Sequence, residues 1–177
     1  MTYMSVDLDY FREGHSPTAF MRRVFALGVE MLVVAQHDQL LDHVNQSCCR
    51  TLVNVDAHSD IVDDPCDFNE GTWVNHVSWR AEGTYEWRHP PGYDVHGYCH
   101  ARVNPFREPC SGWQSVRRKQ GLAGIPWSEI SHVGICLSSR WLDEARVQPI
   151  VERLGVSKWL KMSYAEQRIH CQPFLYG

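Results

Sequence analysis

The sequence predicts a single α/β domain in three layers, α/β/α, built on a mostly parallel sheet. Three observations predict it. Apolar runs of strand length alternate with segments of helical spacing through the first third of the chain. The connections between them are short, which implies right-handed crossovers between parallel strands. Acids or histidines close each run, where open parallel sheets bind their ligands.

The first strand is expected over Met4–Phe11, with Val6, Leu8 and Tyr10 on one face and Asp7 and Asp9 on the other. Ser16-Pro17 reads as an N-cap followed by Pro in the first helical position. Phe20, Val24 and Leu27 then recur at helical spacing up to a stop at Gly28. Glu30–Ala35 is an apolar run suited to a strand buried on both faces, and it ends at His37. Leu40, Leu41 and Val44 mark the next helix, and Arg50–Val55 the third strand, ending in Asp56-Ala57-His58-Ser59-Asp60. A long aromatic-rich excursion is expected over about 80–131, with a helical piece before it around Trp73–Trp79. A buried strand at His132–Leu137, a helix near Leu142–Leu154 and a turn-rich end complete a domain spanning 1–177.

Composition limits the functions available. Lys and Arg total 17 against 21 Asp and Glu, a net charge of −4, which excludes the basic face of a dedicated nucleic-acid binder. No apolar window is long enough to span a membrane. The opening MTYMSVDLDYF has acids where a secretory signal has bases, so a cytoplasmic chain is expected. Seven cysteines without a CxxC pair read as free thiols in a reducing compartment.

Asp7, Asp9, His37, Asp56, His58 and Asp60 therefore converge on one sheet edge if their strands are neighbours. Taken singly, each piece also suits a solvated turn, a helix cap or a structural histidine. Together, four carboxylates in one place would repel one another unless cations cancelled their charge. Oxygen donors with a minority of imidazole suit two Mn(II) ions, or Fe(II) or Co(II), better than structural zinc.

At these residues the sequence resembles the ureohydrolase superfamily of arginases and agmatinases, with the histone-deacetylase-like enzymes as more distant relatives. Asp56-Ala57-His58-Ser59-Asp60 matches the DAHxD motif, and Ser5-Val6-Asp7-Leu8-Asp9 the start of SxDxDxxDP. Leu32–His37 is similar to the strand leading into GGDHS, with Gln36 in place of the acid. The order departs from the family, because SxDxD opens this chain instead of following DAHxD, as in a circular permutation. Arg12 stands where the third motif has its last Asp. The pattern is most similar to compact peptide arginases, which convert arginine side chains of ribosomal peptide precursors to ornithine.

The resemblance implies an arginase-like fold and a binuclear hydrolase. Asp7 and Asp56 would bridge the ions, His37 and Asp60 would complete one site, and His58 and Asp9 the other. A shared water would attack the guanidinium carbon. His76, in GTWVNH, would pass a proton to the leaving amine. Glu13 is the candidate partner for the guanidinium and Trp73 a candidate surface for it to pack on. Arg88, Arg102, Arg107, Arg117, Arg118 and Lys119 could meet an acidic stretch of the peptide. Two other classes remain open on residues alone: a single-zinc deacetylase, and a non-catalytic module holding zinc through His96, Cys99, His100 and Cys110, with Cys66.

Overall fold

The computed structural model describes residues 1–11, 16–61, 68–91, 112–138, 144–156 and 171–174. The strands are β1 (Thr2–Asp7), β2 (Glu30–Val34), β3 (Thr51–Val55), β4 (Thr84–His89), β5 (Ser115–Gln120), β6 (Ile130–Cys136) and β7 (Cys171–Phe174). The helices are α1 (Pro17–Phe25), α2 (Leu41–Gln46) and α3 (Glu144–Arg153). The sheet order is β5-β4-β3-β1-β6-β2-β7, with β7 antiparallel to β2 and every other pairing parallel. The fold is thus α/β with a mostly parallel sheet.

Period-two alternation sends neighbouring strand residues to opposite faces. Met4, Val6, Val53, Val55, Ile135 and Val33 pack beneath Phe20, Val24, Val147 and Val151, on the face covered by α1 and α3. Tyr3, Leu52, Tyr85 and Val34 face the other way, onto Leu40, Val44 and Trp73. Apolar side chains therefore cover both faces of the sheet, as near-continuous strand runs require. By the same alternation Ser5 and Asp7 share the face of Tyr3, and Asn54 that of Leu52.

The first strand ends earlier than its alternation suggests. Ladder pairing of β1 stops at Asp7, and Leu8–Phe11 forms a buried 3-10 turn. Asp7 Oδ1 accepts the Asp9 amide at 3.0 Å, a local bond that competes with extension of the ladder. The helical piece expected around Trp73–Trp79 is a 3-10 turn over Trp73–His76.

The excursion expected over 80–131 holds two further strands of the sheet, β4 and β5. Their charges hide them from a hydropathy reading. Arg88, only 1% exposed, is neutralised by Glu86, and Lys119 pairs with the same carboxylate at 2.8 Å. The turn-rich end contributes β7, which pairs with β2. Among the described residues, no helix is long and apolar enough to cross a membrane.

Gly134 on β6 has no room for a side chain. A Cβ there would lie 2.6 Å from the Tyr3 hydroxyl and 2.7 Å from both Leu40 methyls. Gly134→Ala is expected to destabilise the protein by about 1–3 kcal/mol, since a filled core yields only by strain. Urea unfolding with an unchanged m-value checks this; an unshifted midpoint would mean that the Tyr3 layer gives way freely.

Candidate metal centre

The strand ends set the site. β1 lies beside β3, and Val6 is in register with Val55, so Asp7 and Asp56 emerge side by side as the ladder ends. His37 arrives from β2, beyond β6, at the start of a 3-10 turn that follows Val34. His58 and Asp60 follow Asp56 on one irregular segment, where Asp60 takes a left-handed backbone with φ +50°. Aspartate tolerates that conformation better than most residues, yet it is uncommon and gathers at functional sites.

The six residues meet. His37 Nδ1 lies 3.3 Å from Asp7 Oδ2, 3.0 Å from Asp56 Oδ2 and 2.9 Å from Asp60 Oδ2. His58 Nδ1 lies 3.1 Å from Asp9 Oδ2 and 3.6 Å from Asp56 Oδ1. Donor atoms of Asp7, His37 and Asp56 form one close group, and those of Asp9, Asp56 and His58 another. Asp56 belongs to both and turns one oxygen toward each imidazole. Asp7 contributes Oδ2 to the first group, while its Oδ1 accepts the Asp9 amide. Asp56 is thus the carboxylate common to both groups, whereas Asp7, expected to bridge with it, stands in the first group alone.

A second layer orients these side chains. His37 Nε2 is 2.6 Å from Ser5 Oγ. A proton on Nε2 donated to Ser5 leaves the Nδ1 lone pair facing the carboxylates, as a metal ligand requires. The Trp73 indole N–H donates to Asp60 Oδ2 at 2.8 Å, and its ring lies 4.9 Å from that of His37. The Asn54 amide reaches Asp56 Oδ2 at 3.3 Å and Asp60 Oδ2 at 3.4 Å. Ser138, two residues beyond the end of β6 and with φ +42°, donates to Asp7 Oδ2. The backbone of Asp56 is gripped as well: its carbonyl accepts from the Trp87 indole at 3.0 Å, and its amide donates to the Arg88 carbonyl.

Protein charges alone leave the cluster in conflict. Burial pushes the Asp7 carboxyl well above its usual range, and the charges of Asp9 and Asp56 push it further. Asp9 is raised by burial and by Asp56. Asp60 is pushed up to about 7, again by burial first and Asp56 next. Burial opposes ionisation of Asp56 too, but hydrogen bonds from His37 and His58 outweigh it and hold this carboxyl far below its usual range. Burial acts against a charged His37, yet Asp60 and Asp56 raise it well above an ordinary imidazole. Hydrogen bonds to Asp56 and Asp9 push His58 up to about 12.

This donor set fits divalent cations. Two ligand atoms at right angles about an ion, each at ~2.1 Å, are about 3.0 Å apart, the spacing His37 Nδ1 keeps from its three oxygens. Cations would also remove the mutual repulsion that raises Asp7, Asp9 and Asp60. The groups around Asp7, His37, Asp56 and His58 could accordingly hold metal ions.

The other sequence candidates fall as follows. Trp73 is fully buried against His37 and Asp60, so its ring offers no face to solvent in this conformation. His76 ends the same 3-10 turn; its Nε2 is buried without a hydrogen-bond partner among the described residues, and its ring meets Phe68 edge-on. Glu13 lies outside the described residues, as do His96, Cys99, His100, Cys110 and Cys66 of the alternative zinc site, and Arg102 and Arg107. Arg88 is buried within its own fold contacts, while Arg118 stacks on Trp87 at 5.1 Å. Ser5 opens the SVDLD motif, whereas Asn54, Trp87 and Ser138 are not among the site candidates of the sequence. Asn54 carried a signal, as the lone amide in an apolar strand two residues before Asp56. Ser138 carried none, because only the β1–β6 pairing brings it to Asp7.

No protein-family model, no curated protein and no solved structure matches this chain.

Metal uptake must displace protons here, which fixes the sign of its pH dependence. Burial and the Asp56 charge push Asp60 up to about 7, and hydrogen bonds to Asp56 and Asp9 push His58 up to about 12, so a cation competes with protons for these donor atoms. Apparent affinity for Mn(II) is expected to rise with pH through neutrality, with net proton release. Calorimetry in buffers of different ionisation enthalpy measures that release; affinity that falls as the pH rises would contradict the assignment.

Proposed function

We propose that the chain is a metal-dependent hydrolase that cleaves the guanidino group of arginine, within a peptide, to an ornithine side chain and urea. The observation that supports it most is the pair of donor groups joined through Asp56. A single-ion amidohydrolase needs one such group. The resemblance of the SVDLD and DAHSD segments to the peptide arginases supplies the substrate class.

In this reading Asp7, His37, Asp56 and Asp60 hold one ion and Asp9, Asp56 and His58 the other, with Mn(II) the best match to oxygen-rich donors and Fe(II) or Co(II) next. Such ions, when bound, offset the carboxylate charge and make a water acidic enough to ionise near neutral pH. The protein supplies orientation and proton handling. His58 has 39% of its side chain exposed whereas His37 has 2%, so substrate approaches from the His58 side. A guanidinium is planar and pairs best with a carboxylate, the role proposed for Glu13.

In a 3-10 turn residues three apart eclipse one another, so His76 lies on the face of Trp73, whose indole reaches Asp60. Its Nε2, without a hydrogen-bond partner among the described residues, can deliver a proton to the departing amine as the carbon–nitrogen bond breaks and the oxygen of water joins the carbon. The free thiols of Cys48, Cys49 and Cys136 suit a reducing cytoplasm.

Mass spectrometry of an arginine-containing peptide incubated with the protein and Mn(II) tests the reading. A loss of ~42 Da per converted arginine, with urea released, is expected for guanidine-to-amine hydrolysis. One zinc per chain, with acyl groups removed and no urea, would transfer the site to the deacetylases.

Two variants separate the roles. Asp56→Ala is expected to lose both metal uptake and turnover. His76→Ala should retain its metal while kcat falls by roughly 10²–10⁴-fold, the range for a removed general acid. Metal content and steady-state rates measured on the same preparations check both.

A further inference from the structure

The two donor groups differ in what stands behind them. The first is backed by an aromatic side chain that is wholly enclosed. Trp73 places its indole N–H 2.8 Å from Asp60 Oδ2 and its ring 4.9 Å from His37 at a tilt of 44°. Both of those residues face the first group through His37 Nδ1 and Asp60 Oδ2, which are themselves 2.9 Å apart. The hydrogen bond and ring contact of Trp73 are made with these two, whereas His58 and Asp9 meet each other on the far side of Asp56.

We infer that Trp73 is a positioning residue for one ion of the pair, the one held on the His37–Asp60 side, and that its indole N–H sets the affinity of that ion without setting the other. This rests on the proposed two-cation reading of the site. The physical reason is local. Asp60 sits on a left-handed backbone in an irregular segment, so its carboxylate direction is not fixed by a strand. A buried N–H donor fixes it and leaves the remaining lone pairs for the cation. The ring does the same for the imidazole plane of His37, whose far nitrogen is held by Ser5 at 2.6 Å. This assigns Trp73 a different part from the substrate surface expected of it.

The test is Trp73→Phe, which keeps an aromatic ring and removes the N–H. Stepwise titration with Mn(II), followed by calorimetry and by the electron spin resonance of free Mn(II), counts the ions and their affinities. The unmodified chain is expected to bind two. In the variant one step should weaken by about 10- to 100-fold, the usual cost of a lost outer-shell partner, while the other is retained. Equal weakening of both steps, or of neither, overturns the inference and leaves the two-cation reading standing. Failure of the unmodified chain to bind two ions overturns both.

A second measurement does not depend on the variant folding. The chain has seven tryptophans, and the Trp73 indole N–H, assigned by triple-resonance NMR, can be followed during titration with the diamagnetic Zn(II) or Mg(II). In the unmodified chain the Trp73 indole signal should shift with one metal step and remain still in the other. If the Trp73 signal follows both steps together, or moves in neither, Trp73 is not coupled to one ion.

Discussion

The arrangement depends on the side-by-side burial of Asp7 and Asp56 at the ends of two neighbouring parallel strands. Isolated buried carboxylates are costly, and two together cost more. Here the pairing of Val6 with Val55 fixes their positions before any ligand is considered. A slip of one residue in that register would send Asp7 to the face of α1 and α3 and dissolve the cluster. The sheet thus determines where the negative charge is concentrated. What relieves it, protons on His37 and His58 or divalent cations, is a matter of chemistry at that fixed point.

Support for this point comes from parts of the chain with no ligand of their own. Trp87 on β4 donates to the Asp56 carbonyl, and the Arg88 carbonyl accepts its amide. Arg88 is fixed in turn by Glu86 and by the carbonyls of Gly121, Ala123 and Gly124 after β5. The strands that look like an excursion in the sequence therefore buttress Asp56, the carboxylate common to both donor groups. A buried arginine with its hydrogen bonds satisfied this way does not need a substrate to explain it. Its place beside Asp56 reflects anchoring of the strand that carries the donor cluster.

The legible part of the protein was the part governed by periodicity and by strand ends. β2, β3 and β6 follow from continuous apolar runs, and the six clustered side chains follow from reading where those runs stop. β4 was not legible because TYEWRH places Glu86 and Arg88 on one face, and only their mutual pairing allows both to be buried. β5 was hidden by SVRRKQ, whose charges read as loop though the strand needs only one neighbour to pair. The end of β1 was misplaced because alternation continues through Asp9, while the bond from the Asp9 amide to Asp7 turns the backbone away. Trp73 was visible as a residue of interest, but its hydrogen bond to Asp60 is a tertiary contact across a segment without regular spacing.

The order of the motifs along the chain separates topology from site. In the resembled family the SxDxD strand follows DAHxD; here it comes first, as β1. What the donor set requires is that the carboxyl ends of β1, β3 and β2 lie within reach of one another, and the order β3-β1-β6-β2 provides this whatever the sequence of connections. β6 carries none of the six cluster residues yet stands between β1, which ends in Asp7, and β2, which leads into His37. It is narrow at that point, with Gly134 beside Leu32 and Ser5, and two residues beyond its end Ser138 donates its hydroxyl to Asp7. A strand in that position must be slim and must lead into a donor, so that His37 can reach across it to carboxylates one strand farther away. This requirement applies to geometry rather than chain order, which is why an early or late cut in the connections leaves the cluster the same.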